Sequence, residues 1–495
     1  MLPRKLAPAV RYTLFACMAL ALTSCSEPGG DPGARKNAGG APATGGASPY
    51  GGNGAGTPMN GGAPASGGST EPRGGAAGIS SGAGGDASGG VAAAAQGGSV
   101  ASGGADSAGG DAASGPVAGG SAMGGASMGG ASATGGTAGS GGAGGTSPEP
   151  FVPGVAPAAA AYFKKGINLG NRMEAPNEGD WGGSILATDL PFIAKRGFDH
   201  VRIPIRFSGH ASASAPYTID AAFFARVDAV LDQAAQAKLA VVLDLHAYDE
   251  LASDVAAHRA RYLALWTQIA TRYRDRPDTV AFELMNEPHE QLDTSWNELL
   301  AAAVQAVRAT NPRRLLVIDA VYWADPSKLS ALVLPNDANL LVAVHIYEPK
   351  LFSFQGKDWM GPEFMTTGVI FPGPPATPVT PVAAATAADW AKTWFADYNS
   401  LAAATNPSGP ATIAAQMAYV TSYRTSSGRA VYNGEWGPQD GGALDSRVRL
   451  VSLLRQECEK AGVGWAIWED PNNMKLFDST ASTWVTEIAD ALLPP

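Results

Sequence analysis

Cysteine is nearly absent: 495 residues hold three, Cys17, Cys25 and Cys458. Two lie near the N-terminus, so no disulfide framework can form in the rest of the chain. Cys458, alone in the helical pattern Leu453-Leu454-Arg455-Gln456-Glu457-Cys458, reads as a small buried hydrophobe rather than a reactive thiol. Positive charge is short as well. The formal net charge is −10, and no stripe of Lys and Arg runs along the chain, which excludes a generic polyanion binder and argues against nucleic acid as a partner. A neutral polymer is compatible with that balance without being selected by it. Large apolar side chains are few between residues 26 and 146, where Gly, Ala, Ser and Thr recur in Gly-Gly units. Such a stretch cannot offset the entropy of ordering its backbone and is expected to be a flexible tether.

Arg4, Lys5 and Arg11 precede an apolar run over 12–22 that is too short to cross a bilayer comfortably and ends in small residues, the pattern of a signal peptide. Its end, Leu22-Thr23-Ser24-Cys25, resembles a bacterial lipobox, which implies lipidation of Cys25 after cleavage. The alternative is an ordinary secretory cleavage site with an incidental cysteine. Ser26 follows, and a residue other than Asp there resembles the sorting signal for an outer membrane. The expected organisation is a leader over 1–24, a tether over 25–150 and one large domain over 151–495, exported and held at the cell envelope through Cys25, or secreted. A Gly-rich coil of this length has a root-mean-square reach of about 60 Å.

After Phe151, short β-rich runs alternate with longer helical patterns, the mark of a parallel sheet built from β/α units. Eight strands are expected, at 165–169, 200–205, 240–246, 280–285, 314–318, 340–346, 430–434 and 464–468, with amphipathic helices such as 223–237 and 259–273 between them. No Gly-x-Gly-x-x-Gly follows an early strand, which argues against an open dinucleotide-binding sheet. The expected fold is therefore an α/β (β/α)8 TIM barrel, with catalytic groups where strands end and βα loops begin.

Polar residues collect at those ends: Asn168 and Asn171, Arg202, His246, Asn286 with Glu287, Trp323, His345 with Tyr347, Glu435, and Trp468. Taken singly, each has a structural explanation. Together they suggest one pocket, with Glu287 after strand four facing Glu435 at strand seven, and paired carboxylates flanking one bond are what glycoside hydrolysis requires. Competing chemistries fit less well. The six histidines form no His-Glu-x-x-His or other close ligand spacing, so no metal is expected. Gly125-Ala126-Ser127-Met128-Gly129 matches a hydrolase elbow but lacks the strand before it and the helix after it.

Gly166-Ile167-Asn168-Leu169-Gly170-Asn171, Val201-Arg202-Ile203-Pro204, Leu243-Asp244-Leu245-His246, Asn286-Glu287-Pro288, His345-Ile346-Tyr347 and Gly434-Glu435-Trp436-Gly437 together resemble glycoside hydrolase family 5, the cellulase family, over about 164–491. The run from Glu174 to Gly182 looks like an endoglucanase branch that sometimes also cleaves β-mannan. The resemblance implies a retaining endo-β-1,4-glucanase acting on polysaccharide without a cofactor, with Glu435 as nucleophile and Glu287 as acid/base. It further implies that Asn286 meets the sugar 2-hydroxyl, that Trp468 stacks on a pyranose ring, and that Arg202, His345 and Tyr347 serve Glu435. Asn168, Asn171, Glu174, His246 and Trp323 complete the expected substrate-binding and supporting set. Burial and the neighbouring carboxylate are expected to keep Glu287 protonated.

Two positions depart from the pattern. Ala247 stands where the family often has a second histidine, and Phe354-Gln355-Gly356 replaces a usual His-Gln-Gly. Both put substrate preference in doubt. A Pro-rich stretch, 368–381, either walls the cleft or is a passive surface loop. A monomer is expected; the readings held against the glucanase are a β-mannanase of the same family and a non-catalytic glycan-binding lipoprotein.

Overall fold

The computed structural model describes residues 148–495. The expected lipobox with Cys25, nearly all of the expected tether and the elbow-like Gly125–Gly129 lie outside the described residues.

Eight parallel strands close into a barrel: β1 (Lys165–Asn168), β2 (His200–Ile205), β3 (Ala240–Leu245), β4 (Val280–Glu283), β5 (Leu316–Asp319), β6 (Leu340–Ile346), β7 (Val431–Trp436) and β8 (Gly464–Ile467), with β8 returning to pair with β1. The expected TIM barrel is the observed one. The strands are buried on both faces, as a parallel sheet wrapped in helices demands, so they read as near-continuous apolar runs. Helix starts are chemically marked. Asp220 caps Ala221–Gln236 by accepting from Phe223 N, and Asp254 caps Val255–Tyr273 by accepting from Ala257 N. Gly197, at φ 107°, ends Asp189–Arg196 in the left-handed conformation that glycine adopts without strain.

The two-residue period of a strand sorts the barrel interior into layers. Val242, Ala281, Val317, Ala343, Tyr432 and Ala466 form an apolar cluster separate from the larger core between strands and helices. Two residues further along, the same inward faces carry Asp244, Glu283, Asp319 and His345, all buried. The interior is therefore apolar below and ionisable above, and the site rests on that upper layer.

Strand boundaries fall within about two residues of expectation. β5 starts at Leu316 because Arg314 is turned onto the neighbouring segment that leads into β4, donating to the carbonyls of Tyr273, Pro277 and Val280. β7 runs on to Trp436 through a register shift opposite Val344/His345, which pairs His345 with Glu435. Extra residues of this kind re-aim side chains at barrel rims.

The Pro-rich stretch 368–381 does not reach the cleft. It packs on the helix Asp389–Ser400, where Ile370 N donates to Tyr398 Oη at 2.8 Å and Val379 N to Asn399 Oδ1 at 2.9 Å. Cys458 is wholly buried, and burial pushes its thiol up to about 12, as expected of an inert cysteine.

Candidate active site

Arg202 on β2 is the hub. Fully buried, it donates from Nε and Nη2 to the two oxygens of Glu283 at 2.7 and 2.6 Å, from Nη1 to Asn168 Oδ1 at 3.0 Å and Glu435 Oε1 at 2.6 Å, and from Nη2 to Asn286 Oδ1 at 2.8 Å. Asp244 Oδ2 lies 3.0 Å from Nη2. A planar guanidinium with five fixed donors is the side chain suited to tie so many strand ends together. Asn168 turns its own amide onto the carbonyls of Gly434 and Ala466 at 2.9 and 3.1 Å, which locks β1 to the strand carrying Glu435.

Glu435 thus receives Arg202 on one oxygen, and on the other the Tyr347 hydroxyl at 3.0 Å. Burial and the adjoining Glu435 charge push the Tyr347 phenol well up, so it keeps its proton and donates. Glu287 lies on the loop after β4 at φ 45°, its backbone N–H donating to Asp319 Oδ2 at 2.9 Å and its Oε1 2.8 Å from His345 Nδ1. One atom each from Glu287, His345 and Glu435 fall within 4.8 Å of one another. The two carboxylates converge at the cleft floor.

The expected protonation of Glu287 is corrected here. Burial does push its carboxyl up, but the hydrogen bond and charge of His345, with the charges of His246 and His289, outweigh burial and hold it below the ordinary carboxylate range. His246 is itself a cation near neutrality. Burial works against that, yet Asp244, 2.6 Å from Nδ1, raises it to about 9.

A cleft of about 610 Å³ opens above these groups. Asn171, His246, Asn286, Glu287, Trp323, His345, Tyr347, Glu435 and Trp468 line it, with Ala247 and Phe354. Asn168, Glu174 and Arg202 stand behind the surface. Glu174 accepts from the backbone N–H groups of Asn171 and Arg172, so its contact with the cleft runs through the loop that presents Asn171. Trp468 is fixed by its indole N–H on Asp470 at 3.1 Å, and Trp323 stacks on His289 at 5.1 Å between ring centres. Phe354 packs between Tyr347 and Trp359, at 4.9 and 5.7 Å, giving that wall an apolar face.

Sequence reasoning missed Asp244, Glu283 and Asp319 as members of the site. A signal was there: each is an acid at an inward-facing position of an otherwise apolar strand. Asp319 is pushed well up by burial and by Glu283, while Arg202 overcomes burial to hold Glu283 down. Glu283, Asp319 and His345 also converge within 4.8 Å. In both convergent groups a carboxylate already bonds Arg202, so the positive charge a metal would bring is supplied by the guanidinium.

A closed β/α barrel with convergent carboxylates at the C-terminal ends of β4 and β7 defines a barrel glycoside hydrolase. The chain belongs to the cellulase family, glycosyl hydrolase family 5, whose sequence model matches residues 164–473. It is 27% identical over 339 residues to Endoglucanase H of Acetivibrio thermocellus, an alignment covering 67% of this chain and 33% of that one. It is 27% identical over 333 residues to Endoglucanase B of Clostridium cellulovorans, covering 62% and 66%. The chain thus spans about a third to two thirds of these relatives' lengths. Among solved structures, the endoglucanase Cel5A of Thermotoga maritima matches at 34% identity and a TM-score of 0.59, over 68% of this chain and 100% of that one. The same enzyme has been solved with cellobiose and with mannotriose.

Proposed function

We propose that the chain is a retaining endo-β-1,4-glucanase that hydrolyses β-1,4-linked polysaccharide by double displacement. The observation that carries this reading is the closeness of the two carboxylates, whose nearest oxygens lie within 4.8 Å. Retaining enzymes hold the pair about 5–5.5 Å apart, whereas inverting enzymes need about 6.5–9.5 Å to admit a water.

Glu435, oriented by Arg202 and Tyr347, attacks the anomeric carbon. The bond to the leaving oxygen breaks, its electron pair stays on that oxygen, and Glu287 delivers the proton. In the free enzyme His345 favours the Glu287 carboxylate. A glycan in the cleft removes water from the quarter of the Glu287 side chain that is still exposed, which strengthens the burial that pushes its carboxyl up. The glycosyl ester on Glu435 then cancels one negative charge, Glu287 takes a proton from water, and water opens the ester.

The test is Glu287→Gln and Glu435→Gln on carboxymethyl-cellulose and glucomannan, with NMR of the first-formed anomer. Loss of about 10²–10⁴-fold is expected for Glu287→Gln, the usual contribution of general acid–base catalysis, and a larger loss for Glu435→Gln. Near-normal activity in either variant, or an inverted product, would refute the reading. Glucan affinity without reducing-sugar release by the unaltered chain would favour a glycan-binding lipoprotein instead.

A β-mannanase activity is the second reading. Its support is the similar Thermotoga maritima enzyme, whose structure with mannotriose is described as a substrate complex. Comparing kcat/KM on glucan and mannan decides between them. We also propose export and anchoring at the cell envelope through Cys25, on the strength of the lipobox-like Leu22-Thr23-Ser24-Cys25. Radiolabelled palmitate incorporated by the unaltered chain and lost in Cys25→Ser is the expected result.

A further inference from the structure

Gln439 lies three residues beyond β7 and borders the cleft beside Phe354, Trp359 and Asn473. It is 3% exposed, and its amide oxygen is fully buried yet takes no hydrogen bond from the described residues. Its main chain, in contrast, is tightly held. Gln439 N donates to Ser353 O at 2.8 Å, and Asp440 N donates to Asn473 O at 2.7 Å. Lys357 joins the same junction, with Nζ on Asp440 at 2.5 Å and on Asn473 at 3.2 Å. Two residues on, a Cβ at Gly441 would stand 2.2 Å from the Gln355 carbonyl oxygen, so the segments after β6 and β7 touch backbone to backbone.

A buried polar group without a partner destabilises a fold, and such groups are uncommon unless a function maintains them. Here the backbone around Gln439 is pinned from three sides while the side-chain amide oxygen takes no hydrogen bond from the described residues. Its neighbour in the wall is Phe354, which offers no donor and no acceptor. An amide carries both, in the fixed spacing that suits adjacent hydroxyls of a pyranose ring.

We propose that Gln439 is a specificity-determining residue that hydrogen-bonds a sugar hydroxyl pair in the cleft, beside the apolar wall formed by Phe354 and Trp359. The inference rests on the glycan-hydrolysing reading above. Binding satisfies the amide oxygen, so part of the affinity for substrate is the relief of an unpaired acceptor in the free enzyme. A sugar lacking the hydroxyl would leave the amide buried and unpaired, and sites of this kind reject such analogues strongly.

The test is Gln439→Met in the full chain, a substitution close in size that removes the amide. Two quantities are read: Tm, and kcat/KM on cellohexaose and mannohexaose. The expected result is a Tm equal to or above that of the parent, with kcat/KM on the preferred hexaose down roughly tenfold or more, the equivalent of at least ~1.4 kcal/mol. The Kd of the same hexaose for a Glu435→Gln chain should rise by a similar factor when Gln439→Met is added. A falling Tm would make Gln439 a structural residue and overturn the proposal, as would an unchanged kcat/KM. If the parent chain hydrolyses neither hexaose, the glycan-hydrolysing reading itself fails and this inference falls with it. A parent that turns over while Gln439→Met matches it sinks only the inference.

Discussion

Asp244 near the end of β3 and His246 just past it form a pH-sensitive pair beside the cleft. Burial, assisted by Glu283 and opposed by Arg202, raises Asp244 to about 6, and Asp244 in turn raises His246 to about 9. Between those values both are charged. Because the His246 value lies above its ordinary ~6.5, its contribution to stability is complete below that pH and is lost as pH rises through about 9. Asp244→Asn should therefore lower the His246 titration midpoint, followed by NMR, and flatten the fall in stability between pH 7 and 9. A midpoint that stays near 9 would show that another group sets it. Little of this pair was legible in the chain. His246 stood out as a polar strand end, and an aspartate flanked by leucines signals an inward-facing acid but not the guanidinium that it meets. Glu287 was legible in position and not in protonation, because His345 lies 58 residues away and no local pattern records the 2.8 Å contact.

At the scale of elements, close backbone approach shapes the cleft as much as side-chain identity does. Gly170, just past β1, lies under the indole of Trp468, just past β8, where an added Cβ would fall 2.3 Å from the ring. Gly170→Ala must displace the ring. The expected outcome is a rise of up to about tenfold in KM for cello-oligosaccharides, the scale of one aromatic stacking contact, with kcat less affected. Gly434 lies inside the shifted register of β6 and β7, where a Cβ would sit 3.0 Å from His345 Nε2. Gly434→Ala should lower kcat by disturbing the His345–Glu287 contact, and a kcat equal to the parent's would show that the ring has room to give. Alternating apolar runs and helical patterns placed all eight strands. The left-handed turn at Tyr322–Ala324 that presents Trp323 had no such signal, since bulky residues rarely take positive φ and no glycine announces it.

At the scale of the whole molecule, every strand of the barrel and every group of the candidate site falls within residues 148–495. A chain beginning at residue 148 should match the full chain in Tm and in kcat/KM on soluble glucan. A deficit in either would mean that the barrel draws on residues before it. The eight-stranded architecture was readable because each β/α unit repeats the same short pattern, whereas the polar layer under the cleft was not, because it is assembled one residue per strand from places far apart in the chain. That layer also has a consequence for descent. Five side chains from four strand ends meet at the single guanidinium of Arg202, so their substitutions will be non-additive, with coupling of about 0.5–3 kcal/mol in double-mutant cycles. A lineage can drift freely at the rim, where Ala247 and Phe354 stand, but below it each step passes through an unpaired charge. Divergence in this barrel should therefore be gradual in what it grips and abrupt, by compensating pairs, in how it holds its charge.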